Sequence, residues 1–248
     1  MTKSSTATTL TGALRAALRP GMTVAVGDGV GALNCLDDGT PVGATLSAVA
    51  REVSSVGLVL GWLPVPVDGL EVDAFGEVAA LMPGWGVRDV LRTPTARFVP
   101  ARLSAIGALL AGALRPDLLI TRLVERDGQL HFATEVSWQH ELVQAGVPVL
   151  AIVDGTAPMA SALPALNTAA VTVVGHSIDG PVRLPAKAPE AVHDALADAV
   201  LRFVPDGARL QYGPGQLGTA LLNRATISLQ LDTGLLTDAV VDLDRRGL

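Results

Sequence analysis

The stretch Thr23–Gly31, TVAVGDGVG, carries the clearest indication of the fold. Four residues suited to a short buried strand run directly into a loop with three glycines, which lets the backbone turn sharply where the strand ends. Similar apolar runs follow at Val56–Leu60, Leu118–Val124 and Val147–Val153. Segments with helical spacing separate several of these runs. The alternation predicts an α/β protein with an open, largely parallel sheet and flanking helices.

The composition narrows the classes of partner and compartment. The 248 residues are 49% hydrophobic and 17% charged, enough apolar material for one large core or two smaller ones. The net charge is −6 and no stretch concentrates Lys and Arg, which disfavours nucleic acid and anionic membranes as partners. Cys35 is the single cysteine, so no internal disulfide is possible. No apolar run reaches the ~20 residues of a membrane span, and the N-terminus is unlike a signal peptide. We expect a cytoplasmic protein.

Further along the chain, the pattern predicts additional elements of both types. Asp127-Gly128 is a turn signal that pairs Leu130–Thr134 back on the preceding strand, and Ser137 is a candidate helix cap. No element can be assigned to Leu63–Pro100, which is rich in Pro and Gly. The other predicted elements are helices over Ala44–Val53, Leu103–Leu114 and Thr237–Arg246, strands over Ala169–Val174, Ala208–Tyr212 and Ile227–Leu231, and a helix opened by Pro189 with an apolar stripe of Val192, Leu196, Val200 and Phe203.

Two glycine loops are candidates for ligand contact. Gly27, Gly29 and Ala32 fit the G-x-G-x-x-A pattern of dinucleotide sites, but the next strand ends in Gly61-Trp62 without the acidic residue that holds a ribose. NAD and FAD are therefore disfavoured, and we expect a tight turn whose backbone faces another ligand. The second loop, Gly213-Pro214-Gly215, also joins a strand to a helix, where backbone N–H groups can approach an oxyanion or phosphate.

The remaining polar residues leave carboxylates as the candidates for chemistry. No two of the four histidines have metal-ligand spacing and there is no cysteine cluster, so no metal site and no tightly bound cofactor are predicted. A G-x-S-x-G nucleophile elbow is also absent from the sequence. Asp232 ends a strand and Glu135 lies between a strand and a helix, whereas interaction with a helix dipole is sufficient to explain Asp238.

Six stretches in order resemble the acetyl-CoA hydrolase/4-hydroxybutyrate CoA-transferase family, of the class I CoA-transferase type. They are LRPGMTVAVGDGVGA, FVPARLSAI, RDGQLHFATEVS, VPVLAIVDGTAPM, DGARLQYGPGQLGTALL and DTGLLTDAVVDLDRRG. The resemblance runs from about Arg19 to the end of the chain. It implies an open, Rossmann-like α/β sheet of the CoA-transferase type. It also implies an N-terminal α/β domain over residues 1–204, followed by a shortened start of the family's second domain over residues 205–248.

The resemblance places a glycine where the family has its nucleophile. Family members form a glutamyl-CoA thioester on the Glu of a His-(Ser/Thr)-Glu motif. Alignment on that motif puts Gly234 at the Glu position and Asp232 at the His position. Glu135 falls on a family glycine, so a carboxylate is lost at one loop and gained at another. Glu135 and Asp232 become the candidate general bases, for activation of water or abstraction of an α-proton.

The expected function is acyl-CoA processing without the usual glutamyl-CoA intermediate, by thioester hydrolysis or acyl or CoA transfer. A coenzyme A thioester is the expected substrate or ligand. The candidate binding residues are Gly27, Gly29, Gly31, Gly213, Gly215 and Gln216. One alternative is a non-catalytic acyl-CoA-binding or structural subunit that completes a partner chain. Another is an enzyme repurposed for a small molecule other than CoA. We expect a homo-oligomer, or a hetero-oligomer with a second CoA-transferase-like chain.

Overall fold

A computed structural model describes residues 9–31, 33–134, 138–159, 163–177, 179–184 and 187–248. The chain divides into two compact units, one up to Leu184 and one from Pro185 onward. The sequence-based domain boundary after residue 204 stays a prediction. No helix in the described ranges combines the length and the apolar character that crossing a membrane requires.

The first unit is built on one sheet, and its described residues contain eight strands. They are β1 (Thr23–Val26), β2 (Gly57–Leu60), β3 (Glu77–Ala80), β4 (Ala96–Phe98), β5 (Leu118–Arg126), β6 (Gln129–Phe132), β7 (Val149–Asp154) and β8 (Val171–Ser177). The order across the sheet is β4-β3-β2-β1-β5-β7-β8, with every neighbouring pair parallel. The largely parallel α/β sheet expected from the sequence is confirmed.

Helices cover both faces of this sheet. The four α-helices described in the unit are α1 (Leu10–Ala17), α2 (Val42–Val53), α3 (Leu103–Ala111) and α4 (Trp138–Gln144). On one face, buried residues of α1 and α2 share a core with Val24, Leu58 and Ile120. On the other face, α3 and α4 pack on Ala25 and Leu119, the alternate residues of the same strands. This alternation follows from the two-residue period of a strand, and it explains why the strands are apolar throughout.

The sheet reverses its direction of winding between β1 and β5. Strands β1 to β4 follow one another outward to one edge, whereas β5, β7 and β8 run to the other edge. Such a switch point leaves a crevice at the carboxyl ends of the two central strands, which is where open α/β sheets bind ligands. The pairing of β1 with β5 ends at Val26, which lies opposite Ile120.

Strand β6 continues the sheet where β1 leaves it. The hairpin turn has positive φ angles at Asp127 and Gly128, and β6 pairs antiparallel with β5 from Arg126 back to Leu123. Leu123 also pairs with Val153 of β7, so β6 lies on the β1 side of β5. The nine residues of β5 therefore have β1 beside their first part and β6 beside their last part.

The second unit contains a small βαβ arrangement. Its described elements are α5 (Ala191–Leu201), β9 (Ala208–Leu210), α6 (Gln216–Arg224), β10 (Leu229–Leu231) and α7 (Asp238–Arg245). The two strands pair in parallel with Leu231 opposite Leu210. Leu222 and Leu243 of the flanking helices are buried in its core with Tyr212.

The apolar stripe predicted on α5 faces outward for much of its length. The exposed fractions are 66% for Val192, 48% for Leu196 and 87% for Phe203. Helix α5 packs through a neighbouring face, where Ala197 is fully buried in a cluster with Ala220 and Leu221. Val200, the remaining residue of the predicted stripe, is partly buried against this cluster.

Candidate functional site

The switch point holds a buried carboxylate, Asp28, directly after β1. Asp28 is 7% exposed. Its Oδ2 accepts a hydrogen bond of 2.8 Å from Trp138 Nε1 and a longer one of 3.4 Å from the Trp62 backbone N–H. Its Oδ1 accepts from Gln139 Nε2 at 3.1 Å. Asp28 thus joins the loop after β1 to Trp62, two residues after β2, and to the first turn of α4.

Two glycines make room for this cluster. A Cβ added at Gly27 would lie 2.5 Å from Thr121 Oγ1 and 2.7 Å from Gln139 Oε1, two atoms that are hydrogen-bonded to each other. A Cβ at Gly61 would lie 2.7 Å from Asp28 Oδ2. Real Cβ atoms do not approach so closely, so the network needs glycine at both strand ends.

A second buried polar pair lies on the neighbouring strands β5 and β7. Arg122 Nη2 is 2.8 Å from Asp154 Oδ2, and the two side chains are 2% and 0% exposed. Burial acts to raise the pKa of Asp154. Hydrogen bonds from the Thr156 hydroxyl and backbone N–H groups, together with the Arg122 guanidinium, outweigh burial and hold that pKa below its usual value.

In the second unit, Tyr212 organises the loop that follows β10. The Tyr212 hydroxyl donates to the carbonyl of Leu235 at 3.1 Å and accepts from the Thr237 N–H at 3.2 Å. The Thr233 hydroxyl donates to the Tyr212 carbonyl at 3.2 Å. The loop therefore curves around a buried phenol, and its other side faces outward.

That outer side forms an open depression of about 500 Å³. Its lining residues are Arg209, Gln211, Asp232, Thr233 and Gly234. Asp232 is the carboxylate of this surface, and its Oδ2 lies 3.7 Å from Arg209 Nη1 with both side chains more than two-thirds exposed. Apart from Gly234 and its two chain neighbours, no heavy atom of the described residues lies within 4 Å of the position that a Cβ of Gly234 would occupy. The depression can thus accommodate a larger side chain at residue 234 or part of a ligand.

The structure places the predicted glycines in two different environments. The N–H of Gly27 donates to the Ile120 carbonyl and that of Gly29 to the Trp62 carbonyl, each at 2.7 Å, and Gly31 is also buried. In the second unit, Gly213 and Gly215 are exposed, and the N–H of Gly215 donates to the Gly213 carbonyl at 2.8 Å. Their roles in binding stay predictions.

Of the other predicted site residues, Gln216 is described by the structure and Glu135 is not. Gln216 Nε2 donates to the carbonyl of Ala188 at 2.7 Å, so this amide is engaged at the start of α6. Glu135 and the candidate cap Ser137 lie outside the described residues. Within the described ranges, no three His, Cys, Asp or Glu side chains come together as a metal-binding group.

Three charged residues were not predicted as part of a site: Asp28 just after β1, Arg122 in the middle of β5 and Asp154 at the end of β7. Each stands inside or directly after an apolar run, as in LLITRLV and VLAIVDG. A charged residue in a run that is otherwise fully buried is itself a signal, because burial of a charge requires partners. The partners could not be identified from spacing, since strand order alone brings them together.

Comparison with solved structures relates the fold to CoA-transferases. RipA from Yersinia pestis superposes with a TM-score of 0.82 and 16% identity, covering 97% of this chain and 58% of that chain. A variant of RipA gives a TM-score of 0.84 at 17% identity. A 4-hydroxybutyrate CoA-transferase from Porphyromonas gingivalis gives a TM-score of 0.66 and 15% identity over 96% of this chain.

These similarities show a CoA-transferase-like fold. The chain spans between 56% and 58% of the length of these solved chains. No family model matches the sequence, and no curated protein matches it.

Proposed function

We propose that this protein binds a coenzyme A thioester and acts on it, by hydrolysis or acyl transfer, without a glutamyl-CoA intermediate. The observation that carries the proposal is the depression beside Gly234 in a chain whose fold matches that of a 4-hydroxybutyrate CoA-transferase. Among the described residues, the lining of this depression includes Asp232 and no glutamate. A loop with free space at residue 234 supports ligand binding there while lacking the family nucleophile.

Hydrolysis at this surface requires a base and a water molecule. The carboxylate of Asp232 accepts a proton from water, the water oxygen bonds to the thioester carbonyl carbon, and the carbon–sulfur bond then breaks. The CoA thiolate leaves and takes up a proton. Arg209, close to Asp232, supplies a positive charge for the oxyanion that develops on the carbonyl oxygen. Glu135 remains the second candidate base.

The first test is release of free thiol from a panel of acyl-CoAs. We expect turnover by the purified protein and a loss on the order of 10²-fold in Asp232→Asn. Asp242→Asn is the matched control, because Asp242 is also an exposed carboxylate that pairs with an arginine, Arg245, at 3.0 Å. Equal activity of both variants would remove Asp232 from the mechanism.

The second test addresses the absent intermediate. After incubation with acyl-CoA and borohydride trapping, intact-mass analysis is expected to show the unmodified chain. An adduct that maps to Glu135 or Asp232 would contradict the proposal and show that the nucleophile has moved. Gly234→Glu alone is not expected to restore CoA transfer, since a misplacement of about 1 Å can cost on the order of 10²-fold in rate.

A second candidate function is an acyl-CoA-binding subunit that completes a partner chain. The exposed apolar side chains of the second unit favour it, since Val192, Phe203 and Leu236 are each more than 60% exposed. Binding of a CoA thioester with no thiol release at any protein concentration would select this function. Absence of both binding and release would reject the two proposals together.

A further inference from the structure

We propose that Trp62 is a ligand-contacting residue at the carboxyl edge of the first unit, and that Asp28 is the positioning residue that holds it there. The inference rests on the proposed function for the identity of the ligand, a CoA thioester. Trp62 directly follows Gly61 at the end of β2, next to the switch point, and is partly exposed. An indole has a flat apolar face that suits an acyl chain or a nucleobase.

Both the backbone N–H and the backbone carbonyl of Trp62 make hydrogen bonds to the loop after β1. Its N–H points to Asp28 Oδ2 at 3.4 Å, and its carbonyl accepts from the Gly29 N–H at 2.7 Å. Gly29 has a φ of +86°, a conformation that other residues rarely adopt. The loop therefore fixes the backbone of Trp62, and Asp28 fixes the loop through Trp138 and Gln139.

The ring of Trp62 is placed by a neighbouring strand end. A Cβ added at Gly84, which follows β3, would lie 3.3 Å from Trp62 Cδ1. The indole thus rests beside a glycine, and only small rearrangements are open to it on that side. The loop after β1 thus holds the backbone of Trp62, and Gly84 in the loop after β3 lies against its ring, at the edge where parallel sheets bind ligands.

The experiment uses the indole N–H resonances of the full chain, which has three tryptophans, Trp62, Trp85 and Trp138. Acetyl-CoA is titrated into protein labelled with ¹⁵N at tryptophan. We expect acetyl-CoA to shift the Trp62 resonance more than that of Trp85, which follows Gly84 in the chain. Trp62→Ala is expected to weaken binding about tenfold.

Asp28→Asn tests the positioning role. Asparagine keeps the shape but puts an NH₂ group against one of the N–H donors, so we expect binding at least tenfold weaker and a shifted Trp138 resonance. Trp138→Phe removes one donor and serves if Asp28→Asn does not fold. Asp117→Asn is the matched control, because Asp117 accepts from the Thr23 N–H at 2.8 Å at the opposite end of β1.

Two results would overturn the inference. One is binding of acetyl-CoA with no change at Trp62. The other is an Asp28→Asn protein that is less stable yet binds with unchanged affinity, since Asp28 would then be structural only. If the wild-type protein does not bind acetyl-CoA, the proposed function fails instead. Asp28 is then judged without ligand by hydrogen exchange of the Gly29 amide, which should accelerate in Asp28→Asn while the amides of β1 stay protected.

Discussion

The carboxylates near the switch point of the first unit are buried, whereas the carboxylate of the Gly234 loop in the second unit is exposed. Asp28 and Asp154 are buried, each with several hydrogen-bond donors or a guanidinium in place. Asp232 is about three-quarters exposed, and Arg209, the arginine that pairs with it at 3.7 Å, is exposed to a similar extent. A buried charge requires partners in the folded protein, whereas a solvated one is free to meet a ligand. The carboxylates of the first region therefore stabilise the fold, whereas Asp232 in the second region is left exposed to solvent.

The buried ion pair gives the largest expected effect. Arg122→Met should destabilise the protein by about 3–5 kcal/mol, because Asp154 loses its guanidinium while it remains buried. Chemical denaturation measures the change. The double variant Arg122→Met/Asp154→Leu should recover much of the loss, since no charge is then buried. A single variant as stable as the wild type would show that Asp154 does not depend on Arg122.

The clearance around Gly27 gives the next largest effect. Gly27→Ala should cost about 1–3 kcal/mol, because the added methyl group overlaps the hydroxyl of Thr121 and the amide of Gln139. Gly234→Ala is the matched substitution, with open space around its Cβ position. Thermal unfolding of both variants tests the contrast. Equal changes in Tm would mean that the switch point is less tightly packed than its distances indicate.

Acid should destabilise the first unit through Asp154, by less than the loss of Arg122. The pKa of Asp154 is lower in the folded protein than in the unfolded chain. Its contribution is therefore fully present above the unfolded value, about 3.9, and is lost as pH falls through the folded pKa. Denaturation between pH 5 and pH 2 (roughly the range of this loss) measures it. Arg122→Met should be less sensitive to acid over the same range.

The exposed ion pair gives the smallest effect on stability. Arg209→Met should change the free energy of unfolding by less than about 1 kcal/mol, because solvent screens both groups of the pair with Asp232. Thiol release should fall nevertheless if Arg209 stabilises the oxyanion. Stability and activity measured on the same samples separate the two roles, and a large loss of stability would contradict the contrast between the regions.

Hydrophobic patterning was sufficient to predict the main part of the sheet. The runs that became β1, β2, β5 and β7 are apolar throughout because helices cover both faces. Strands β3 and β4 were missed in Leu63–Pro100. They are three or four residues long, their neighbours are rich in Pro and Gly, and β4 at the edge of the sheet is partly exposed. Such short strands form because the rest of the sheet is present beside them, and the local sequence does not contain that information.

The site could be predicted only where a motif marked it. The family resemblance drew attention to Asp232 and Gly234, which the structure places on one depression. Nothing in the spacing of Asp28, Trp62 and Trp138 relates them, since they lie up to 110 positions apart in the chain. They meet because β1 lies between β2 and β5, and that strand order is a property of the whole fold.

Strand β5 pairs with β1 along its first part and with β6 along its last part, and this arrangement affects the order of folding. Pairing with β6 joins Leu123 to Phe132, nine positions apart (132 − 123), whereas pairing with β1 joins Val24 to Leu118, 94 positions apart (118 − 24). Closing the longer loop costs about 2 kcal/mol more in chain entropy. We expect the hairpin to form early and the switch point to close late. Substitutions in the hairpin should then slow folding, whereas those at Val24 should mainly accelerate unfolding. The same strand, β5, would thus pair with β6 in a fast step of folding and with β1 in a slow one.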